Sequence, residues 1–146
     1  MAYATQADLV PLRMTEKDLT ELTDDAGAGA IDSTIVDAAL AEASGLVDSY
    51  CRGRYQTPLQ ANQNIVSLTL DIAVYVLFKR RRETRMAETV QTAYTGAIAF
   101  LKDISASKAS LDQPSGAAPQ SSTAGPQHSR LDGELAFRAE HLKGFV

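Results

Sequence analysis

Residues 33–52 read STIVDAALAEASGLVDSYCR, and this stretch does most to determine the fold class. Apolar residues recur through it at spacings of four, three, four and three positions: Val36, Leu40, Ala43, Val47 and Tyr50. That period places them on one face of an α-helix, which would be about 30 Å long. We therefore predict an all-α protein, a small bundle of four to five helices with a long extended C-terminal arm.

Two shorter helices are predicted ahead of this one. Each of two threonines stands three residues before an aspartate, which resembles the capping box at a helix start: Thr5 with Asp8, and Thr15 with Asp18. The predicted helices run over about 5–10 and 15–22, with Pro11 between them.

The loop over residues 24–32 superficially resembles an EF-hand calcium loop, with Gly29 at the sharp-turn position. Three positions that need oxygen ligands in such a loop carry apolar residues: Ala26, Ala28 and Ile35. We therefore expect no calcium site there. The loop should instead end with Asp32 or Ser33 as the N-cap of the long helix.

Residues 65–78 allow two interpretations. Val66–Ile72 alternates between apolar and polar positions, which is typical of a strand. The apolar run nevertheless continues to Phe78 without alternation or a turn residue, and a lone strand among helices would have no partner. We favour a buried central helix over about 62–81.

The last helix of the body is predicted from apolar residues at helical spacing: Met86, Val90, Ala93, Ala97, Leu101 and Ile104. The sequence thus divides into a helical body at 1–105, a low-complexity arm at 106–130 and a short docking segment at 131–146. The arm is mostly Ser, Ala, Gly, Pro and Gln, and Leu111 is its only large apolar residue. Such a segment buries too little apolar surface to offset its ordering entropy, so we expect it to be flexible in the free subunit.

The docking segment has six apolar residues that could contact a partner: Leu131, Leu135, Phe137, Leu142, Phe145 and Val146. The sequence does not identify that partner.

Catalytic chemistry has little support in the sequence. The single cysteine, Cys51, excludes an internal disulfide and is expected to be a small core residue. The two histidines, His128 and His141, lie in the arm and the docking segment, where nothing fixes a catalytic base. No phosphate loop, paired-carboxylate site or metal-ligand spacing occurs. We expect neither an enzyme nor a cofactor or metal.

No signal peptide opens the chain, and its longest apolar run is interrupted by polar residues. The expectation is a soluble protein made in a reducing cytoplasm, with no membrane partner.

The net charge of −4 is unevenly distributed. Residues 1–50 carry −8, residues 51–85 carry +5, and residues 86–146 carry −1. Opposite zones of this kind suit contacts in which the acidic face of one subunit meets the basic face of the next. An unevenly charged, solvated surface is the plainer alternative.

The strongest basic cluster consists of Lys79, Arg80, Arg81, Arg82 and Arg85. Cations near a helix C-terminus are favourable against the helix dipole, which would be a purely structural role. Contact with an acidic partner or with DNA phosphates is the functional alternative. No aromatic residues are interleaved for base stacking.

Asp71 is the one acid inside the predicted helix 62–81, and a buried carboxylate needs a partner. Arg52 and Arg54 are the expected partners, because the turn after residue 52 folds one long helix back onto the other. An ion pair that fixes this turn is the favoured interpretation, with a subunit contact as the alternative.

Three segments of the chain resemble a known family. Met1–Leu9 resembles the usual opening of Mu-like phage proteins encoded just after the major head protein. The turn contains the family signature Tyr-x-x-Gly-Arg-Tyr-x-x-Pro-Leu, in the residues Tyr50, Gly53, Arg54, Tyr55, Pro58 and Leu59. Asp71-Ile-Ala followed by Tyr75 is similar to a motif of the family's next helix.

The family resembles the helical head–tail adaptors, also called connector or head-completion proteins, of the phage neck. The resemblance implies a homo-oligomer, a twelve-membered ring beneath the portal protein that extends the DNA channel. It also implies a tail-side neck or tail-terminator partner, and DNA that passes through the lumen without sequence-specific contact. The location implied is the neck of the virion, after assembly in the bacterial host cytoplasm.

By the same resemblance, Arg54 and Tyr55 would fix the turn between the long helices, and the C-terminal arm would reach the portal. The alternative function is a helical DNA-binding packaging or regulatory protein that uses the Lys79–Arg85 cluster.

Overall fold

A computed structural model describes residues 2–81 and 85–114 of the chain, which form five α-helices. They are α1 (Gln6–Leu12), α2 (Glu16–Thr23), α3 (Ser33–Cys51), α4 (Gln63–Arg80) and α5 (Glu88–Ser105). No strand segment occurs within these two ranges. The predicted all-α bundle is confirmed. No helix in the described part of the chain is long and apolar enough to cross a membrane.

The two short helices begin at the predicted caps. The N–H of Thr5 donates to the Asp8 carboxylate at 2.8 Å. Thr15 and Asp18 form the reciprocal pair of a capping box. The end of the first helix differs from the prediction, because Pro11 lies inside α1 rather than after it. A proline disfavours the helical region for the residue before it, so Val10 is extended and α1 is kinked there.

Helices α3, α4 and α5 pack against one another and form most of the core. The predicted apolar face of α3 is buried at Val36, Leu40, Ala43 and Val47, while Tyr50 is half-buried. The largest fully buried side chains come from all five helices: Leu9, Leu19, Leu22, Val36, Leu40, Val47, Ile65, Leu70, Ile72, Leu77, Leu101 and Ile104.

Residues 65–78 are helical throughout, so the strand interpretation of this segment is wrong. Asn62 caps α4 by accepting a hydrogen bond from the Ile65 N–H at 3.0 Å. Both α3 and α5 pack on α4, which explains why its apolar residues are not confined to one face. Thr69 is fully buried on this helix, and its hydroxyl has no hydrogen-bond partner among the described residues.

The loop between α2 and α3 is organised by Asp24. Its carboxylate accepts hydrogen bonds from the N–H groups of Ala28, at 2.8 Å, and Gly29, at 2.6 Å. Gly27 and Gly29 have positive φ angles of 70° and 69°, a conformation that glycine adopts without steric cost. Both carboxylate oxygens of Asp24 are therefore used to hold the backbone of this loop. Asp32 is the N-cap of α3, one of the two residues predicted for that role.

The N-terminal segment is attached to α3 and to the turn after it through Tyr3. The Tyr3 N–H donates to the Ser44 hydroxyl at 3.1 Å, and the Tyr3 hydroxyl donates to the Asp48 carboxylate. The same hydroxyl accepts from the Leu59 N–H at 2.7 Å. Burial, reinforced by the bond to Asp48, raises the pKa of Tyr3 to about 12. These bonds hold three separate parts of the chain together.

Candidate functional site

The turn after α3, which contains the Gly53–Leu59 signature, holds the end of α5. The Arg54 guanidinium donates to the carbonyl oxygens of Ile104, at 2.9 Å, and Ala109, at 2.7 Å. The Tyr55 hydroxyl accepts a hydrogen bond from the Leu111 N–H at 2.7 Å. We call these two residues the Arg54–Tyr55 clamp. It fixes the direction in which the chain leaves the last helix.

The chain remains packed on the body beyond the predicted boundary at residue 105. Leu111 is buried, with 7% of its surface exposed. The Gln113 side chain accepts from the Gln60 N–H and donates to the Gln60 carbonyl, each at 2.8 Å. The first part of the segment predicted as an arm is thus attached to the body, because its single large apolar residue has a place in the core.

The rest of the predicted arm lies outside the described residues. So do His128, His141 and the six predicted docking residues: Leu131, Leu135, Phe137, Leu142, Phe145 and Val146.

The remaining signature residues occupy different environments. Gly53 and Pro58 are exposed on the turn, and Tyr50 is half-buried near the end of α3. Tyr75 stacks on Tyr94 of α5, with ring centroids 3.8 Å apart and planes inclined by 10°. Burial, with the nearby Tyr75, Tyr50 and Glu42 side chains, raises the pKa of Tyr94.

The stacked tyrosines stand at an open groove of about 330 Å³ between α3, α4 and α5. We call it the tyrosine groove, and its walls are Glu42, Gly45, Leu46, Ser49, Ile72, Tyr75, Val76, Lys79 and Tyr94. The walls combine aromatic and aliphatic surface with one acid and one base. Neither Glu42 nor Lys79 forms an ion pair within the described part of the chain.

The partner of Asp71 is Arg13, so the predicted pairing with Arg52 or Arg54 is wrong. Arg13 Nε donates to Asp71 Oδ1 at 2.5 Å, and Arg13 Nη2 donates to the Ser67 hydroxyl at 2.6 Å. Arg54 is occupied at the end of α5, and Arg52 is exposed. The ion pair therefore joins the end of α1 to α4 rather than fixing the turn after α3.

The basic cluster is partly used within the fold. Arg80 makes a two-pronged contact with the Asp25 carboxylate, at 2.6 and 2.9 Å, and also donates to the Leu22 carbonyl. Arg81 donates to the Asp24 carbonyl at 2.5 Å and reaches Asp25 at 3.3 Å. The hydrogen bond from Arg80 lowers the pKa of Asp25 below its usual value. These contacts attach the end of α4 to the α2–α3 loop.

The other members of the cluster are differently placed. Lys79 and Arg85 are exposed, and Arg82 lies outside the described residues.

Cys51 is fully buried, as predicted for a core residue. Burial, with the nearby Asp48 carboxylate, raises the pKa of its thiol to about 11, so the nucleophilic thiolate is scarce at neutral pH. Over residues 2–81 and 85–114, no group of three or more His, Cys, Asp and Glu side chains is arranged to hold a metal ion.

Three residues of these surfaces were not predicted from the sequence: Arg13, Tyr94 and Leu111. Leu111 was recognisable as the one large apolar residue in a polar stretch. Tyr94 was recognisable as an aromatic residue within the apolar pattern of α5. Arg13 gave no local signal, because its contact with Asp71 depends on how α1 packs against α4.

Comparison with known proteins gives one family. A family model described as Bacteriophage Mu, Gp36 matches residues 3–129, which is most of the chain. Among curated proteins, a search finds no match.

Proposed function

The chain belongs to the bacteriophage Mu Gp36 family, and we propose that it is a structural subunit of the phage neck that joins head to tail. Membership of this family indicates a structural or assembly role in a phage. The finer assignment is a head–tail adaptor, which forms a ring beneath the portal and extends the DNA channel. The proposed ring contains twelve copies of this subunit.

The observation that carries this proposal is the family match together with its extent. It begins at residue 3 and runs past the last helix to residue 129. It therefore covers the helical body, the Arg54–Tyr55 clamp and most of the segment that follows. A rigid body that holds the exit of a long C-terminal segment suits a subunit that contacts one neighbour through its helices and another through its tail.

The distribution of charge on the described surface supports lateral contacts between copies. Exposed acids are concentrated in α2, α3 and the loop between them: Glu16, Asp18, Glu21, Asp25, Asp32, Asp37 and Glu42. Exposed bases lie mainly beyond α3, where they outnumber the exposed acids Glu88, Asp103 and Asp112: Arg52, Lys79, Arg80, Arg85, Lys102 and Lys108. Head-to-tail contacts between unlike surfaces generate rings when the rotation closes, and complementary charge fixes their register.

The alternative, a DNA-binding packaging or regulatory protein, has less support. It needs the Lys79–Arg85 cluster to be available to phosphates, yet Arg80 and Arg81 are paired with Asp25. An arginine that stays paired within the protein neutralises no phosphate, which reduces the salt-dependent part of DNA affinity. A filter-binding assay at low salt distinguishes the two functions, because the adaptor proposal predicts no retention of duplex DNA by the isolated protein.

Electron microscopy of particles assembled without this protein tests the adaptor role. We expect DNA-filled or leaking heads that lack tails, accompanied by free tails. Normal tailed particles would exclude the proposal.

A further inference from the structure

The tyrosine groove is a surface that the five helices leave open. Its aromatic and aliphatic walls are the kind of surface that forms the centre of protein contacts, where tyrosines contribute much of the binding energy. Gly45 lies in its α3 wall, and a Cβ built on Gly45 would meet no heavy atom within 4 Å. There is therefore room for an inserted side chain over this part of α3.

The docking segment of the same chain has a pattern of apolar and charged residues that complements the tyrosine groove. In residues 131–146, LDGELAFRAEHLKGFV, apolar residues recur at helical spacing: Leu131, Leu135, Leu142 and Phe145. On a helix, Arg138 would lie on that same face between Leu135 and Leu142. The groove offers Glu42 to this arginine, and it offers Lys79 to Glu134, which would flank the face.

The chain between residue 114 and the docking segment is long enough for the segment to reach the tyrosine groove. The last described contact, Gln113 with Gln60, lies beside the turn that follows α3. Glu42 and Cys51 are separated along α3 by about 14 Å, at 1.5 Å per residue, so the groove begins close to this turn. Residues 115–130 are rich in Ser, Gly and Pro, and a flexible linker of that length and composition would have a root-mean-square span of about 20–24 Å. A linker whose span matches the distance from residue 114 to the groove gives the docking segment an effective concentration at the groove in the millimolar range.

We propose that residues 131–146 form an amphipathic helix that docks into the tyrosine groove of the same subunit. Leu135 and Leu142 enter the groove beside Tyr75 and Tyr94, and Arg138 pairs with Glu42. The free subunit thereby covers its own groove and its own apolar segment until a partner takes the segment. This docking concerns the isolated subunit and does not rest on the adaptor role.

Hydrogen–deuterium exchange of the full chain, followed by mass spectrometry of peptides from residues 131–146, tests the proposal. We expect exchange in this segment of the natural sequence to be at least about tenfold slower than in two variants. One is Leu135→Glu with Leu142→Glu, which places two charges on the docking face. The other is Gly45→Phe, which fills the groove from α3. Exchange is slowed about tenfold when the segment is docked in about nine tenths of the molecules.

Two matched controls accompany these variants. Ala136→Glu with Gly144→Glu adds the same two charges on the opposite face of the segment, and Gly45→Ala leaves the groove open. Both should exchange like the natural sequence. Circular dichroism checks that each variant keeps its helices.

A charge reversal gives a second test that leaves the apolar core untouched. Glu42 is exposed, so Glu42→Arg should fold normally but release the segment by repelling Arg138. Adding Arg138→Glu should restore slow exchange.

Three results would overturn the proposal. The first is fast exchange of residues 131–146 in the natural sequence. The second is slow exchange that Gly45→Phe and Glu42→Arg leave unchanged, which would place the segment elsewhere. The third is protection that disappears on dilution, which would assign the groove to the segment of a second copy.

Discussion

Arg13 donates a hydrogen bond from Nε to Asp71 Oδ1 at 2.5 Å, so the end of α1 is attached to α4 by a partly buried ion pair. Their side chains are 30% and 21% exposed. An ion pair at this depth is worth more than a fully solvated one, because water screens it less.

The first prediction is a coupling between these two residues. A double-mutant cycle with Arg13→Met and Asp71→Asn, measured by urea unfolding, should give an interaction energy of about 1 kcal/mol. The matched cycle with Arg54→Met and Asp71→Asn should give a value near zero, because Arg54 contacts the end of α5. Coupling to Arg54 rather than Arg13 would contradict this arrangement.

The second prediction concerns where the folded body ends. Removing residues 115–146 should lower the free energy of unfolding by about 1.4 kcal/mol, which is the contribution of a segment that is docked in about nine tenths of the molecules. Removing residues 106–146 should lower it by about 2–4 kcal/mol more. The larger deletion removes the buried Leu111 and deprives the Arg54–Tyr55 clamp of the Ala109 carbonyl and the Leu111 N–H. Equal stability of the two truncated proteins would place the boundary at residue 105 after all.

A point substitution tests the same contact in the full chain. Tyr55→Phe removes the acceptor of the Leu111 N–H and should cost about 1 kcal/mol. Tyr75→Phe serves as the control, since the Tyr75 hydroxyl has no hydrogen-bond partner in the described ranges.

These contacts show which parts of the structure were predictable. Helices α2 to α5 were predicted within about two residues at each end, because capping residues and apolar spacing are local signals. Contacts between distant elements were not predictable in the same way. Arg52 and Arg54 were the expected partners of Asp71 because they precede the turn into α4, whereas the observed contact with Arg13 depends on how α1 packs against α4. The packing of Leu111 was missed for a related reason: composition describes the average of a segment, whereas one leucine was enough to attach its first part to the core.

The third prediction is a loss of stability at high pH that depends on Tyr3. Burial raises the pKa of the Tyr3 hydroxyl from 10.0 to about 12, so the folded state holds this proton more tightly than the unfolded state. The resulting stabilisation is complete below pH 10 and disappears as the pH rises through 12. Urea unfolding at several pH values should therefore show the gap in stability between the natural protein and Tyr3→Phe narrowing above about pH 10. If the difference in unfolding free energy between the two proteins stays constant from about pH 9 to about pH 11.5, the Tyr3 hydroxyl does not have a raised pKa in the folded state.

The fourth prediction concerns the buried hydroxyl of Thr69. It has no hydrogen-bond partner among the described residues, so Thr69→Val should raise the free energy of unfolding by about 1 kcal/mol. Thr23→Val is the matched control. The Thr23 hydroxyl is equally buried but donates to the Leu19 carbonyl and accepts from the Asp32 N–H, so its removal should destabilise the protein. Destabilisation by both substitutions would mean that Thr69 has a partner.

The adaptor role itself is tested most directly by a symmetric reconstruction of the assembled phage neck by electron cryomicroscopy. We expect a ring of helical subunits directly beneath the portal, with α1 to α5 fitting each subunit and the lumen continuous with the portal channel. Density for this protein elsewhere in the particle, or its absence from a complete neck, would contradict the adaptor role.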